Sequence, residues 1–575
     1  MKIKHLFGLA VIAAMTASCS SNEDLGTAGP GTGNNEAGVG YATFTINLPS
    51  TSGSTSGARG TRATAGEPSF DEGTADEYAV NDATLLVFQK DGEDYKYIET
   101  VDLGSMEPWT KQDPANSGIT TTATVTAKLT NAAVGESGNY YALILLNNNV
   151  DATKKKVTLP TATTDTYANW SKTADNAKAD NYLKHDNGFF MANAPKYVAD
   201  GEPETLVKIS HIYASKKQAE ISAATTVYVE RGLAKVTMKD FTTTGYDIAD
   251  GTYKDANVKI NSWQLDVTNK STFPVHQTAG LKTSWTDIWA NARFYDESTT
   301  SAFKRVYWGT DPNYNTELST VGACETAFNM IKNNEVKGEA GETHPQYCLE
   351  NTFDLNNMKQ GQTTRVVFKA VFTPKGFTGT EKIFYKIGNN TALWKEADLE
   401  TQIKAKAQEV LKESDASKVT VTLNAPTNNL TEAGVHLVAA ANVTHVGATT
   451  ALTEDQVKAI NTKLGLKEKT AEEERVGIST YYNGEAYYIA RIKHFNELTP
   501  WTTGEPYGTN NEKYLGRYGV LRNNWYELSV NKVTGLGYPD VPEVKPTDPD
   551  DENEQYINVA VKILDWAKRS QNVEL

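Results

Sequence analysis

The chain has 575 residues, more than the roughly 250–300 at which a single hydrophobic core stops growing, so at least two domains are expected. Its formal net charge is -15 and no stretch concentrates Lys or Arg. That excludes the basic footprint demanded by nucleic acid or by an anionic membrane surface.

At the N-terminus, Lys2 and Lys4 precede the apolar run Leu6 to Ala14, and Thr16-Ala17-Ser18 lead to Cys19. A basic segment, a short apolar segment and small residues make a secretory signal, and the run falls well below the roughly 18 residues a spanning helix needs. The last four of these residues resemble a bacterial lipobox, in which the cysteine is diacylated and becomes the new N-terminus, so that the anchor is lipid. An ordinary secretory signal ending near a cysteine is the alternative. Ser20-Ser21-Asn22-Glu23-Asp24 resembles the acidic sorting signal of surface-exposed lipoproteins. With Cys19 assigned to lipid, Cys324 and Cys348 remain as either a disulfide or two free thiols; a bridge would contribute on the order of 3 kcal/mol in the chain-entropy picture.

Residues 20–40 are rich in Gly, Asn, Thr and Ser and read as a tether. The alternation in Tyr41 to Leu48 predicts a strand with Ala42, Phe44, Ile46 and Leu48 on one face. Ser50 to Gly66 returns to Ser, Thr and Gly and carries Arg59 and Arg62, both expected to be open to a trypsin-like protease. Further strands are expected at Thr84–Gln89, Thr121–Leu129, Tyr140–Leu146, Leu206–Ile209 and Val227–Met238. Past about residue 250 they continue at Val258–Val267, Arg365–Phe372, Val419–Leu423, Tyr487–Ile492 and Trp525–Val530. Asn483-Gly484 suits a type I′ hairpin turn. Two segments instead follow the helical period: Leu399, Ile403 and Val410 share one face, and Val457, Ile460 and Leu464 another. Thr453 with Gln456 forms a capping box, and Gly465 stands at the C-terminal stop.

Pro542 to Gln555 is rich in Pro, Asp and Glu and reads as a stiff, solvated spacer. Beyond it, Tyr556 to Trp566 alternates again, with Ile557, Val559, Val561 and Ile563 on one face. The spacer is expected to hold this strand away from its own domain.

Three segments, Val229-Glu230-Arg231-Gly232-Leu233-Ala234-Lys235-Val236, Gly519 to Tyr526, and the tail Val561 to Leu575 with Leu564-Asp565-Trp566, resemble the FimA and Mfa-type shaft subunits (fimbrillins) of Bacteroidales type V fimbriae, most closely the Mfa-type branch. The resemblance implies a mainly β chain: two transthyretin-like β-sandwich domains with small helical insertions and a C-terminal donor strand. The implied division is a signal peptide and lipobox (1–19), a propeptide with tether and removable strand (20–62), sandwiches at 63–250 and 251–541, and spacer with donor strand (542–575). It implies cleavage by an arginine-specific protease at Arg62–Ala63, with Arg59–Gly60 as rival. The strand bearing Ala42, Phe44, Ile46 and Leu48 would then leave, and Ile557, Val559, Val561, Ile563 and Trp566 would be supplied to a neighbour. The implied partners are other copies of the chain, accessory, tip and anchor subunits, the protease, and host or bacterial receptors, in adhesion and biofilm formation. The precursor would sit in the outer membrane through its lipid, and the product in a cell-surface fimbrium.

No phosphate loop, zinc-protease motif, paired CxxC or dinucleotide glycine pattern occurs, so no catalytic residue, metal ligand or cofactor is assigned. His211 and His436 read as ordinary strand residues. Asp548 to Glu554 lacks the spacing of a calcium loop and reads as linker. A monomeric glycan-binding lipoprotein using Tyr487, Tyr488 and Trp501 as aromatic platforms is an alternative, as is an accessory or tip subunit.

Overall fold

Alternating and β-branched sequence dominates, and its strands gather into two layered systems. The computed structural model describes residues 38–49, most of 74–494, 514–550 and 557–565. The first system contains β1 (Gly40–Pro49), β2 (Ala83–Asp91), β3 (Asp94–Gly104), β4 (Thr110–Lys111), β5 (Ile119–Leu129), β6 (Tyr140–Leu146), β7 (Met191–Asn193), β8 (Val207–Lys208) and β9 (Thr225–Arg231). They pair in the order β3-β2-β6-β7-β9-β1-β5-β4, with β8 on β6. One core takes Phe44 and Ile46 from β1, Leu85 and Val87 from β2, Ala142 and Ile144 from β6, and Val227 and Val229 from β9. The alternate residues Leu86, Phe88, Leu143 and Leu145 face a second cluster with Trp170, Tyr182 and Phe190. Both faces of β2 and β6 are thus covered, which accounts for their unbroken apolar runs.

The second system contains β10 (Ala234–Met238), β11 (Tyr246–Asp247), β12 (Asn257–Asp266), β13 (Gln346–Cys348), β14 (Arg365–Thr373), β15 (Ile383–Ile387), β16 (Ile478–Tyr482), β17 (Glu485–Arg491), β18 (Asn524–Val533) and β19 (Ile557–Asp565). One sheet runs β13-β10-β18-β19 and a second β11-β12-β14-β17, while β15 and β16 pair with each other in a third. The facing side chains of the first two, among them Val236, Met238, Trp263, Phe368, Tyr488 and Tyr526, form the largest core.

Where the sequence reads one run, Val227–Met238, the structure has two strands in two different sheets. The chain crosses between them at Gly232, where a Cβ would lie 2.8 Å from the Tyr182 ring. Asn483 and Gly484 join β16 to β17 with φ of 54° and 71°, the positive values a type I′ turn requires. β15 and β16 support a satellite core with the helices Glu396–Leu411 and Glu454–Lys463, into which Leu399, Ile403, Val419 and Ile460 are buried. The Thr453–Gln456 capping box forms, and Gly465 follows the second helix at φ 76°. These helices pack on one another and on β15 through that core.

Candidate assembly site

β1 is an inner strand bonded along both edges. It runs antiparallel to β5, from Gly40 opposite Leu129 to Leu48 opposite Thr121, and parallel to β9, from Phe44 opposite Thr225 to Asn47 opposite Tyr228. Ala42, Phe44, Ile46 and Leu48 are each at most 1% exposed. On the other face, Thr43 and Thr126 hydroxyls meet at 2.8 Å, Thr45 and Thr124 at 3.3 Å, and the Thr122 hydroxyl donates to Asn47 Oδ1 at 2.6 Å. Gly40 begins the strand under crowding: a Cβ there would lie 2.3 Å from Ile212 Cγ2. Without β1, β5 and β9 would face each other across two rows of unpaired amides and carbonyls and an apolar trough.

At Thr74 the single helical turn Ala75–Tyr78 fastens the chain. Glu77 makes a 2.7 Å ion pair with Lys235 of β10, accepts a 2.7 Å hydrogen bond from the Tyr347 hydroxyl of β13, and accepts one from the Thr74 amide at 2.9 Å. Arg231 Nε donates to the Glu77 carbonyl at 2.8 Å, and Lys235 Nζ also stands 3.7 Å from the Trp525 ring centroid. Burial alone would push the Glu77 carboxyl up; the Lys235 ammonium and the hydrogen bonds from Lys235, Tyr347 and Thr74 outweigh it and hold the group below its usual range.

The two systems are joined by a second buried charge cluster. Glu230 of β9 accepts from Arg305 Nε at 2.8 Å and meets His276 Nδ1 at 2.7 Å; Glu350 accepts from Arg522 Nε at 3.1 Å, and Arg305 Nη2 donates to the Arg522 carbonyl at 2.8 Å. Desolvation opposes the Glu230 charge, and Arg305 with His276 overcomes it, so its carboxyl also sits low. Neither cluster was found by sequence reasoning. Their members come from well-separated parts of the chain and carry no local spacing signal.

The tail strand β19 lies at a sheet edge, antiparallel to β18, from Asn524 opposite Asp565 to Val533 opposite Ile557, with a bulge between Val530 and Lys532. Ile557, Val559, Val561 and Ile563 alternate along it. The segment before it departs from the solvated spacer expected from its composition. Arg365 Nη2 donates to the Pro542 carbonyl at 2.7 Å, Val544 is 2% exposed beside Val267, Cys324 and Phe328, and the Asp548 carbonyl accepts from the Gln360 amide at 2.9 Å. Asp550 is fully buried and accepts from the Thr363 hydroxyl at 2.9 Å. These aspartates and prolines find specific acceptors and donors on the domain, and composition alone does not report such matches. The strand is therefore not held away from its own domain in this structure.

Cys324 and Cys348 are buried free thiols, so the disulfide considered from the sequence is not formed. Cys324 lies on the helix Val321–Ala327 beside Val267 and Phe328, whereas Cys348 lies in the main core beside Ala234; each is packed in a different cluster. Burial pushes the Cys348 thiol up to about 12. Tyr487 and Tyr488 are 2% and 0% exposed, and their hydroxyls are raised by burial, so neither offers a face to a sugar. The His211 ring rests on Tyr213 at 4.2 Å, and His436 lies on a two-residue strand. Cys19, Arg59, Gly60, Arg62, Ala63, Trp501 and Trp566 lie outside the described residues.

Residues 479–572 match the family model for the C-terminal part of the type IV major fimbrial subunit protein, fimbrillin. Comparison with curated proteins gave no match. Among solved structures, the chain is similar to a candidate cell adhesion protein from Parabacteroides distasonis ATCC 8503, at 11% identity over 93% of this chain and 99% of that one, with a TM-score of 0.36. It is similar to a fimbrilin (FimA) from Porphyromonas gingivalis W83 at 13% identity over 92% and 99%, TM-score 0.28. It is also similar to the tip fimbrial protein Mfa3 from Porphyromonas gingivalis at 12% identity over 92% and 100%, TM-score 0.26. The comparisons do not resolve the Mfa-type branch from the rest.

Proposed function

We propose that this chain, whose residues 479–572 match the fimbrillin C-terminal family model, is a structural subunit of a surface fimbria that polymerises by strand exchange. In this reading the precursor is exported, lipidated on Cys19 and carried to the outer membrane. An arginine-specific protease then cuts at Arg62–Ala63, or at Arg59–Gly60, and β1 leaves with the lipid. The two sheet systems remain, the first reaching to β9 (Thr225–Arg231) and the second beginning at β10 (Ala234–Met238), and the tail strand of another copy fills the emptied place. Accessory, tip and anchor subunits would share the fibre, and receptors on host or bacterial surfaces would meet it.

One observation carries the reading: a strand set apart by a Ser, Thr and Gly-rich segment is nevertheless an inner strand, with Ala42, Phe44, Ile46 and Leu48 buried and both edges bonded. Its loss leaves a template for any extended alternating segment. Four apolar anchors at roughly 1.5 to 3 kcal/mol each give on the order of 10 kcal/mol before ordering costs of roughly 1 to 2 kcal/mol per residue. The side chains alone barely break even, and the two hydrogen-bonded ladders must supply the surplus. Losing one anchor should therefore abolish assembly.

The test is to incubate purified precursor with an arginine-specific protease and follow it by N-terminal sequencing and electron microscopy. Filaments are expected only after the cut, and Val561→Asp should leave a trimmed, folded monomer. Filaments of normal length from that variant, or from uncut precursor, would refute the reading.

A further inference from the structure

We propose that residues 540–550 are an anchor that stays seated in a groove of the second system when β19 is detached from β18, so that the groove and not the β18 ladder sets where the tail leaves its own domain. Two docks hold this end of the chain, and they draw on different residues. The first is the ladder to β18, whose partners run from Asn524 to Val533. The second is built from the helix Val321–Ala327, Asn334 and the segment 358–365, none of which pairs with β19.

Along the groove the backbone is held at intervals. Asn334 Oδ1 accepts from the Val541 amide at 3.0 Å, and Arg365 Nη2 donates to the Pro542 carbonyl at 2.7 Å. The Gln360 amide donates to the Asp548 carbonyl at 2.9 Å, and the Asp550 amide donates to the Met358 carbonyl at 3.2 Å. Arg365 is itself aimed by Asp266, whose Oδ2 accepts from Nε and Nη2 at 2.8 Å each, so the Pro542 carbonyl meets a guanidinium already in place. Between these bonds Val544 packs among Val267, Cys324 and Phe328. Pro546 comes down on Gly361, where a Cβ would lie 2.9 Å from Pro546 Cα and 2.7 Å from Cys324 Sγ; a glycine is what lets the two surfaces meet. At the far end the buried Asp550 carboxylate accepts from the Thr363 hydroxyl at 2.9 Å.

The composition that reads as a solvated spacer suits a seated ligand equally well. Pro542, Pro546 and Pro549 bring no N–H that burial could strand, and their fixed φ lowers the entropy lost on seating. Glu543, Lys545 and Thr547 are exposed while Val544 and Asp550 are buried, which gives the segment one wet side and one seated side. β19, by contrast, is bonded to its domain along a single edge. The strand can therefore separate while the anchor holds. For a fibre this consequence rests on the exchange reading above: a donated strand would start from a fixed point at Asp550.

Cys324 lies on the groove floor and reports its occupancy. Full-length chains carrying Cys19→Ser and Cys348→Ala keep it as their one thiol, and its maleimide labelling rate is measured without denaturant. Val544→Ala removes two buried methyl groups and is expected to speed labelling roughly tenfold. Thr363→Val, which strips the Asp550 hydrogen bond from the other wall, is expected to speed it by a smaller factor. Val559→Pro with Ala560→Pro breaks the β18 ladder, since of two successive residues one directs its N–H at the neighbouring strand. This ladder variant is expected to leave the rate unchanged. Equal acceleration by the ladder variant and Val544→Ala, or no acceleration by either groove variant, would overturn the anchor. In filaments formed after trimming, labelling should stay as slow as in the monomer; labelling at the Val544→Ala rate would overturn the anchor in the fibre and leave exchange intact. An absence of filaments would refute the exchange reading, and the monomer rates alone would then decide the anchor.

Discussion

Replacing Glu77 with alanine removes the acidic centre of the clamp that fixes the chain immediately after the proposed cleavage segment. The side chains of Glu77 and Lys235 are 3% and 2% exposed, so the substitution leaves a buried ammonium without its carboxylate. Breaking such a pair typically costs about 3–5 kcal/mol. Here Lys235 keeps the Trp525 ring at 3.7 Å, a contact worth up to about 2 kcal/mol in a dry site, which places the expected loss near the lower end. Urea titrations followed by tryptophan fluorescence would measure it, alongside Lys235→Met and the double variant. The double change should cost less than Glu77→Ala alone, because it does not leave the Lys235 ammonium buried without its carboxylate. Because the folded carboxyl lies below its ordinary 4.5, the contribution is complete above about that pH and disappears as pH falls through the lower folded value. A loss under about 1 kcal/mol for Glu77→Ala, or one that persists at low pH, would refute the clamp.

Three other outcomes are expected. Phe44→Ala should destabilise the precursor by about 3–5 kcal/mol in the same titration, and should leave trimmed, strand-exchanged material unchanged because β1 is then gone. Asp311, fully buried and pushed up to about 7 by desolvation, keeps its proton in the folded state where the unfolded chain has lost it. Its contribution is therefore complete below pH 3.8 and is lost as pH rises through about 7, on the order of 4 kcal/mol across the window. The difference between wild type and Asp311→Asn, measured by denaturation at each pH, should shrink or reverse accordingly. Cys324 and Cys348 should resist a maleimide in the folded protein, react with two equivalents after unfolding, and give the same mass with and without reductant.

Much of the architecture could be read from alternation. Tyr140–Leu146 and Arg365–Phe372 became strands nearly as expected, and Thr453, Gln456 and Gly465 marked a helix at both ends. These signals are local, and so they survive without knowledge of the partners. The Val227–Met238 run failed because Gly232 redirects it, and the Tyr182 and Phe190 rings packed on that glycine reveal why. The acidic spacer failed for a similar reason: Asp550 is fully buried against Thr363, a partner that composition cannot supply. The apolar residues of β1 were identifiable, but its inner position was not, because pairing with β5 and β9 joins segments far apart in the chain. The same distance hid the Glu230, His276, Arg305, Glu350 and Arg522 cluster.

The inner position of β1 also has a mechanical meaning. A strand at a sheet edge can be peeled off one hydrogen bond at a time, whereas one gripped along both sides by β5 and β9 resists a pull along its axis with both ladders in shear at once. Any segment seated there inherits that grip. If the chain polymerises as proposed, tension along the fibre would be shared between the β5 ladder and the shorter β9 ladder, from Phe44 to Asn47, at each joint.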